Sequence, residues 1–99
     1  MKLELSILWL DNSLGIAVNE IKSNREVSLT QYYFWPRNNA WEQIKLELES
    51  KNWIRQQEKI KILNNISKIM NSWKIRKDKS SLMEVIDESN CKVKLTGTY

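Results

Sequence analysis

The chain has 99 residues, of which 41% are hydrophobic, and its five tryptophans against two glycines and one proline indicate a single small folded domain. A single cysteine and no histidine exclude a disulfide framework, iron–sulfur ligation, a zinc site of the usual spacing and a nucleophile activated by histidine. The N-terminal apolar stretch is too short for a signal peptide, and no apolar run reaches membrane-spanning length. We expect a soluble intracellular protein that is not an enzyme, needs no cofactor or metal, and binds no membrane or small-molecule substrate.

The net charge of +4 is distributed unevenly along the chain. Residues 1–50 carry five Lys/Arg and seven Asp/Glu, whereas residues 55–79 carry eight Lys/Arg and two acidic residues. A local excess of positive charge is the electrostatic pattern of a segment that lies against phosphate. The basic segment is therefore the first candidate for contact with nucleic acid.

Alternating apolar residues predict a hairpin at the start of the chain. The odd-numbered residues from 3 to 9 are apolar, which is typical of a strand over residues 2–10 with one buried face. Turn-forming residues follow at 11–15, and a second strand is predicted over 16–21. Residues 22–28 are predicted to be a polar connection with Ser-Asn at its tip.

The stretch YYFWPRNNAWEQ at 32–43 contains five aromatic residues and the proline. Its aromatic run predicts the end of a third strand over residues 29–35, and Pro36 must end that strand because proline cannot continue a sheet ladder. Asn39 is a good helix N-cap, with Glu42 three residues later as in a capping box. The stretch thus predicts a strand, a proline corner and the start of a helix.

The aromatic residues of this corner have two possible roles. Strand alternation places Tyr32 and Phe34 on one side and Tyr33 and Trp35 on the other. In the first interpretation most of these rings pack in the core. In the second, at least one of Tyr33, Trp35 and Arg37 stays exposed and contacts an RNA or protein partner.

Two amphipathic helices are predicted after the corner, over residues 39–50 and 56–73. Trp53 and Ile54, between them, are expected to fill the space between the helices. The second helix has the clearest apolar stripe in the chain. Its outer face is predicted to be polar and cationic, with Lys61, Asn64, Asn65, Lys68, Asn71 and Ser72.

Together these elements predict an α+β fold: a small three-stranded antiparallel sheet followed by two helices packed on one face, with a C-terminal extension. Residues 1–75 are predicted to form the single α+β domain. The extension at 76–99 is basic and then polar. Its segments 82–86 and 91–95 are either two short strands of a hairpin or parts of a disordered tail.

Three stretches of the chain resemble one known family in order and spacing. They are WLDNSLGIAVNE at 9–20, LTQYYFWPRNNAWEQIKLELESKNWI at 29–54 and ILNNISKIMNSW at 62–73, and YFWPR followed by AWEQ is the most specific part. These motifs resemble the plastid-specific ribosomal protein 3 family of the small ribosomal subunit of chloroplasts and cyanobacteria. The chain departs from the family pattern at Ser28, where the family usually has proline, and at Asn39, where it usually has an acidic residue.

The resemblance implies a non-catalytic protein that binds ribosomal RNA and neighbouring small-subunit ribosomal proteins, in the chloroplast stroma or in a cyanobacterial cytoplasm. The charge distribution independently favours the RNA contact. The candidate RNA-binding residues are the basic side chains of the corner, the second helix and the segment after it: Arg37, Arg55, Lys59, Lys61, Lys68, Lys74, Arg76, Lys77 and Lys79.

Two alternatives remain from the sequence. The first is a protein-interaction module without direct RNA contact, which docks a partner through the sheet edge or through Tyr33 and Trp35. The second is a small enzyme or a regulator of a photosynthetic complex, for which only Cys91 and exposed aromatics offer support.

Overall fold

A computed structural model describes residues 2–75 and 91–96 and shows a mixed sheet and two helices, which follow the first four strands in the chain and precede the fifth. The α+β class is therefore confirmed. The strands are β1 (Lys2–Trp9), β2 (Leu14–Lys22), β3 (Arg25–Ser28), β4 (Tyr33–Trp35) and β5 (Cys91–Thr96), and the helices are α1 (Ala40–Glu49) and α2 (Gln56–Lys74).

The sheet is built on the β1–β2 hairpin, whose antiparallel register runs from Lys2 opposite Ile21 to Trp9 opposite Leu14. On the free edge of β2, β3 and β4 pair antiparallel with its two ends. On the free edge of β1, β5 pairs in parallel. Residues 91–96 of the C-terminal extension thus belong to the sheet, whereas the other predicted strand, at 82–86, lies outside the described residues.

The polar connection predicted over residues 22–28 has Ser-Asn at its tip as expected, but residues 25–28 also form strand β3, so β2 and β3 make a tight hairpin. Ser23 and Asn24 are its two turn residues, with φ angles of 52° and 64°. Positive φ at both positions is the requirement of the turn type that matches the twist of the two strands. The four residues of β3 are all exposed, so they lack the alternation that marks a half-buried strand.

The predicted third strand over 29–35 is interrupted in its first half. The backbone N–H groups of Leu29 and Thr30 both donate to the carbonyl oxygen of Val18, at 2.9 and 3.1 Å, and the chain then bends away from β2. The Thr30 hydroxyl accepts the N–H of Val18 at 3.0 Å. A side chain thus takes the place of a backbone partner, which hydrophobic alternation in the sequence does not reveal.

The proline corner and the helix start agree with the sequence. Strand β4 ends at Trp35, and the peptide bond to Pro36 is cis. Asn39 caps α1, since its side-chain oxygen accepts the N–H of Glu42 at 3.4 Å. From this start, α1 buries one face with Ala40, Ile44 and Leu48.

The core lies between the sheet and the two helices. The odd-numbered residues of β1 and the side chains of Ile16 and Val18 on β2 form one cluster with Ile62, Ile66 and Ile69 of α2. Ile54 is buried between the helices as predicted. The same prediction is wrong for Trp53, which is 60% exposed. The two residues lie in a turn in which the Ile54 N–H donates to the Lys51 carbonyl oxygen, and this turn directs their side chains apart.

Trp73 connects the end of α2 to the sheet. Its indole Nε1–H donates to the carbonyl oxygen of Leu10 at 2.8 Å, just past the end of β1. Its ring meets the ring of Trp35 edge-on, with 5.7 Å between centroids. The helix is therefore fixed both to the β1–β2 hairpin and to the proline corner.

Replacing Trp73 with phenylalanine should destabilise the fold by about 1–3 kcal/mol, because the Leu10 carbonyl loses its donor while most of the apolar ring remains. Urea denaturation measures the difference. Trp53→Phe is the matched control at an exposed position and should change the free energy of unfolding by no more than about 0.5 kcal/mol. Equal losses in the two variants would show that the indole N–H of Trp73 contributes nothing to stability.

Candidate nucleic-acid interface

Six polar residues form a continuous line along the side of α2 that faces away from the core, and we call this line the polar stripe. They follow one another at intervals of three or four residues, which places them on one helical face: Gln57, Lys61, Asn64, Lys68, Asn71 and Lys74. All are exposed except Lys61, which is half-buried. Lys61 and Lys68 lie two turns apart, a rise of about 10 Å along the helix axis.

The polar stripe carries cations and amides without an acidic residue. The acidic residue of α2 is Glu58, which is half-buried and lies beside the stripe. Lysine ammonium groups pair with phosphate, and the amides both donate and accept, so they suit phosphate, sugar and base edges. Gln57 was not among the predicted contacts. Its spacing of four residues from Lys61 could have shown that both lie on the same face of the helix.

The start of α2 brings Arg55 and Lys61 together. The two side chains, with Gln57 and Glu58, line a shallow pocket of about 130 Å³. Arg55 is exposed and occupies the N-cap position of the helix. Two cations and one carboxylate leave this end of the polar stripe with a net positive charge.

The other predicted basic contacts lie elsewhere. Lys59 is only 7% exposed and shares the core-facing side of α2 with Ile62 and Ile66, so it presents little surface to a partner. Arg37 is exposed in the turn before α1 and belongs to a different element from the polar stripe. The remaining three, Arg76, Lys77 and Lys79, lie outside the described residues.

Two residues assigned to the outer face of the second helix are in fact buried. Asn65 is 1% exposed and Ser72 is 4% exposed. Both lie three or four residues from Ile69, so the helix turn places them on the face that packs inward. Polarity alone is therefore a poor guide to the edges of the buried arc.

Tyr33 and Trp35, the predicted partner-binding residues, are half-buried and pack against the core cluster. The hydroxyl group of Tyr33 donates to the Glu47 carboxylate at 2.5 Å. Tyr32 lies on the opposite side of the strand, as alternation predicts, and its ring stacks on Phe34. At 41% exposed, Tyr32 is the aromatic residue of the corner with the most accessible surface.

Among residues 2–75 and 91–96, no three side chains of His, Cys, Asp or Glu gather closely enough to hold a metal ion. Over the same residues, neither helix combines the length and apolarity that crossing a bilayer requires.

Comparison with known proteins identifies one family. Residues 29–76, which include the proline corner and both helices, match the family described as plastid and cyanobacterial ribosomal protein (PSRP-3/Ycf65). Small ribosomal subunit protein cS23 of Gracilaria tenuistipitata var. liui is 46% identical over 81 residues, which cover 82% of each chain. A probable cS23 protein of Synechococcus sp. (strain JA-3-3Ab) is 47% identical over 73% of each chain. The cS23 protein of Mesostigma viride is 37% identical over 84% of this chain and 68% of its own.

The contact between Tyr33 and Glu47 has a consequence for pH dependence. The hydrogen bond to the Glu47 carboxylate, together with burial, raises the pKa of the Tyr33 phenol above its ordinary value of 10.0. The folded state therefore favours the neutral phenol. Its contribution to stability is complete below the pKa of the unfolded chain and is lost as pH rises through the higher folded-state pKa.

We expect wild type to be more stable than Tyr33→Phe by a constant amount between about pH 7 and pH 9, and this advantage should shrink above about pH 10. Urea unfolding of both proteins across this range measures it, and the comparison cancels the other groups that titrate there. An advantage that persists unchanged at alkaline pH would mean that the hydrogen bond does not favour the neutral phenol.

Proposed function

Because this chain belongs to the plastid and cyanobacterial ribosomal protein family (PSRP-3/Ycf65), we propose that it binds the phosphate backbone of small-subunit ribosomal RNA through the polar stripe of α2. Its role in the small subunit is structural and it is not an enzyme. Its place is the plastid stroma or the cytoplasm of a cyanobacterium. Ribosomal RNA and neighbouring subunit proteins are its partners. The family match confirms the resemblance seen in the sequence.

The observation that carries the proposal is the lysine and amide composition of one exposed helical face. Ile62, Ile66 and Ile69 of α2 are buried in the core, so the polar stripe lies on the surface that the helix offers to a partner. Each lysine that neutralises a phosphate releases a condensed counterion, and this release drives binding. Lys68 and Lys74 are exposed, so their ammonium groups are within reach of a bound strand, and Lys61 is half-buried where it lines the pocket at the start of the helix.

Two arginines extend the proposed contact. Arg55 lies at the start of the polar stripe, and its planar guanidinium can donate two hydrogen bonds to one phosphate. Arg37 adds a separate contact at the proline corner. The basic run continues in the sequence with Arg76, Lys77 and Lys79, which we include as further phosphate contacts. Lys59, although predicted from the sequence, is not proposed as a phosphate contact because its side chain is buried.

A protein-docking role without RNA contact is the second candidate, and one observation favours it. Trp53 projects from the turn between the helices with 60% of its surface exposed. Exposed tryptophan is enriched among the residues that dominate protein interfaces. Binding through such a contact would depend little on salt, whereas binding through lysine–phosphate pairs weakens steeply as salt rises.

The salt dependence of RNA binding distinguishes the two functions. Lys68→Gln/Lys74→Gln removes two exposed cations from the polar stripe, and the slope of log K against log salt should become about 2 units less steep. Filter binding of the full chain to small-subunit ribosomal RNA over a series of salt concentrations measures the slope.

Lys2→Gln/Lys22→Gln provides the matched control, because it removes the same charge from exposed positions on the sheet. Its slope should stay close to the wild-type value. The proposal fails if the two double variants lose slope equally, since binding would then follow net charge, or if the stripe variant keeps the wild-type slope.

A further inference from the structure

Trp53, in the turn between the helices, is the tryptophan that the fold leaves at the surface, with 60% of it exposed. The other four pack into the domain: Trp9 and Trp73 are buried, and Trp35 and Trp41 are half-buried against the core cluster. Among residues 2–75 and 91–96, no other ring stacks on the Trp53 indole and no group accepts a hydrogen bond from its N–H. Trp53 therefore contributes little to the packing of the domain.

The backbone on both sides of Trp53 is fixed. The carbonyl oxygen of Lys51 accepts the N–H of Ile54 at 3.2 Å, which closes the turn around the tryptophan. Ile54 is buried between the helices, and the carbonyl of the next residue, Arg55, accepts the first hydrogen bonds of α2 at 3.0 and 3.1 Å. The turn thus fixes the backbone that carries the indole, and this order lowers the entropic cost of binding a partner.

The charge around Trp53 is mainly positive. Lys51 lies two residues before it and donates to a carbonyl at the end of α1 at 3.4 Å, and exposed Arg55 lies two residues after it. The neighbouring acids offer less opposing charge. Glu49 pairs with a lysine of its own helix at 3.9 Å, and one carboxylate oxygen of Glu58 is buried. The charge around the ring is therefore complementary to an anionic partner.

The polar stripe of α2 begins next to Trp53. Arg55 lines a pocket together with Gln57 and Lys61, the first two residues of the stripe. The Cα atoms of Trp53 and Arg55 are at most about 7 Å apart, since two residues of chain span no more. A strand bound along the stripe thus passes close to the indole. Proteins that bind single-stranded nucleic acid combine such a cationic track with aromatic rings on which bases stack.

The polar neighbours of Trp53 favour RNA over an acidic peptide. Asn52 and Gln56 are both exposed, and their amides donate and accept hydrogen bonds. An unpaired base offers a π face to the indole and hydrogen-bonding groups to these amides. An acidic peptide would match the positive charge alone.

We propose that Trp53 stacks on an unpaired base of small-subunit ribosomal RNA, and that Arg55 binds a phosphate next to that base. This inference rests on the proposed RNA contact of the polar stripe and adds a base contact to it. Every base has a π face, so the stacking fixes where a single-stranded segment lies along α2 without reading its sequence. A base within a duplex is already stacked between its neighbours and does not offer this face.

RNA binding by variants at position 53 tests the stacking. In filter binding of the full chain to deproteinised small-subunit ribosomal RNA, Trp53→Ala should bind about 5- to 150-fold more weakly, the range for loss of one stacked base. Trp53→Phe should recover much of the affinity because it keeps an aromatic ring. Trp53→Leu keeps an apolar side chain without a ring and should not recover it. Leu46→Ala, at a 55% exposed position on α1, is the matched control and should bind like wild type.

The salt dependence separates the stacking from the phosphate contacts. Trp53→Ala removes no charge, so its slope of log K against log salt should equal the wild-type slope. A shallower slope, an unchanged affinity, or recovery by Trp53→Leu as complete as by Trp53→Phe would each overturn the stacking. Weaker binding by Trp53→Ala, together with a wild-type slope for Lys68→Gln/Lys74→Gln, would count against the polar stripe and not against the stacking. A wild-type chain that does not bind the RNA would overturn both.

Photocrosslinking within assembled small subunits identifies the partner of position 53. The photoreactive residue p-benzoylphenylalanine, placed there, should crosslink to an unpaired segment of ribosomal RNA. Crosslinks to a ribosomal protein would assign Trp53 to a protein interface and overturn the base contact. Crosslinks confined to duplex RNA, or no crosslinks at all, would overturn it as well.

Discussion

Helix α2 buries Ile62, Ile66 and Ile69 completely in the same cluster as the inward residues of β1 and β2, and this contact determines which side of the helix meets a partner. Fully burying such side chains stabilises a domain by about 1.5–3 kcal/mol each, which is a large share of the stability of a chain this short. Rotating α2 would expose them, so its lysines are fixed outward by the packing behind them. The rotation of one helix thus links the stability of the fold to the placement of the proposed RNA contact.

The proline corner holds α2 in that orientation from its far end. Trp35 is the last residue of β4, and its ring contacts the ring of Trp73. The indole N–H of Trp73 donates to the carbonyl oxygen of Leu10, just beyond β1. Tyr33 from the same strand reaches α1 through Glu47. Tyr33 and Trp35, for which the sequence left core packing and a partner contact both open, therefore hold the helices on the sheet. Their neighbour Tyr32 lies on the other face of the sheet, where it lines a pocket with Ser6 and Asn19.

The sequence predicted those parts of the molecule that depend on local periodicity. Alternation located the β1–β2 hairpin, Asn39 marked the start of α1, and spacing by three and four residues located α2.

The missed features depend on contacts between distant segments. Strand β3 has no buried face to give it a pattern, and Thr30 replaces a backbone partner of Val18 in a way that composition does not signal. The polar stripe was predictable in part, because Lys61 and Lys68 follow the helix period, whereas Asn65 and Ser72 show that burial extends past the apolar residues. The pocket lined by Tyr32 combines residues of β1, β2, β3 and the bend before β4, and no single stretch of sequence contains it.

We propose that α2 packs its apolar side in the core and places its polar stripe on ribosomal RNA. An electron cryomicroscopy map of the small ribosomal subunit that contains this chain, at a resolution that shows lysine side chains, can observe this contact. The ammonium groups of Lys61, Lys68 and Lys74 should then lie within hydrogen-bonding distance of RNA phosphate oxygens. A map in which that face of α2 meets solvent, or is covered by another protein, would contradict it.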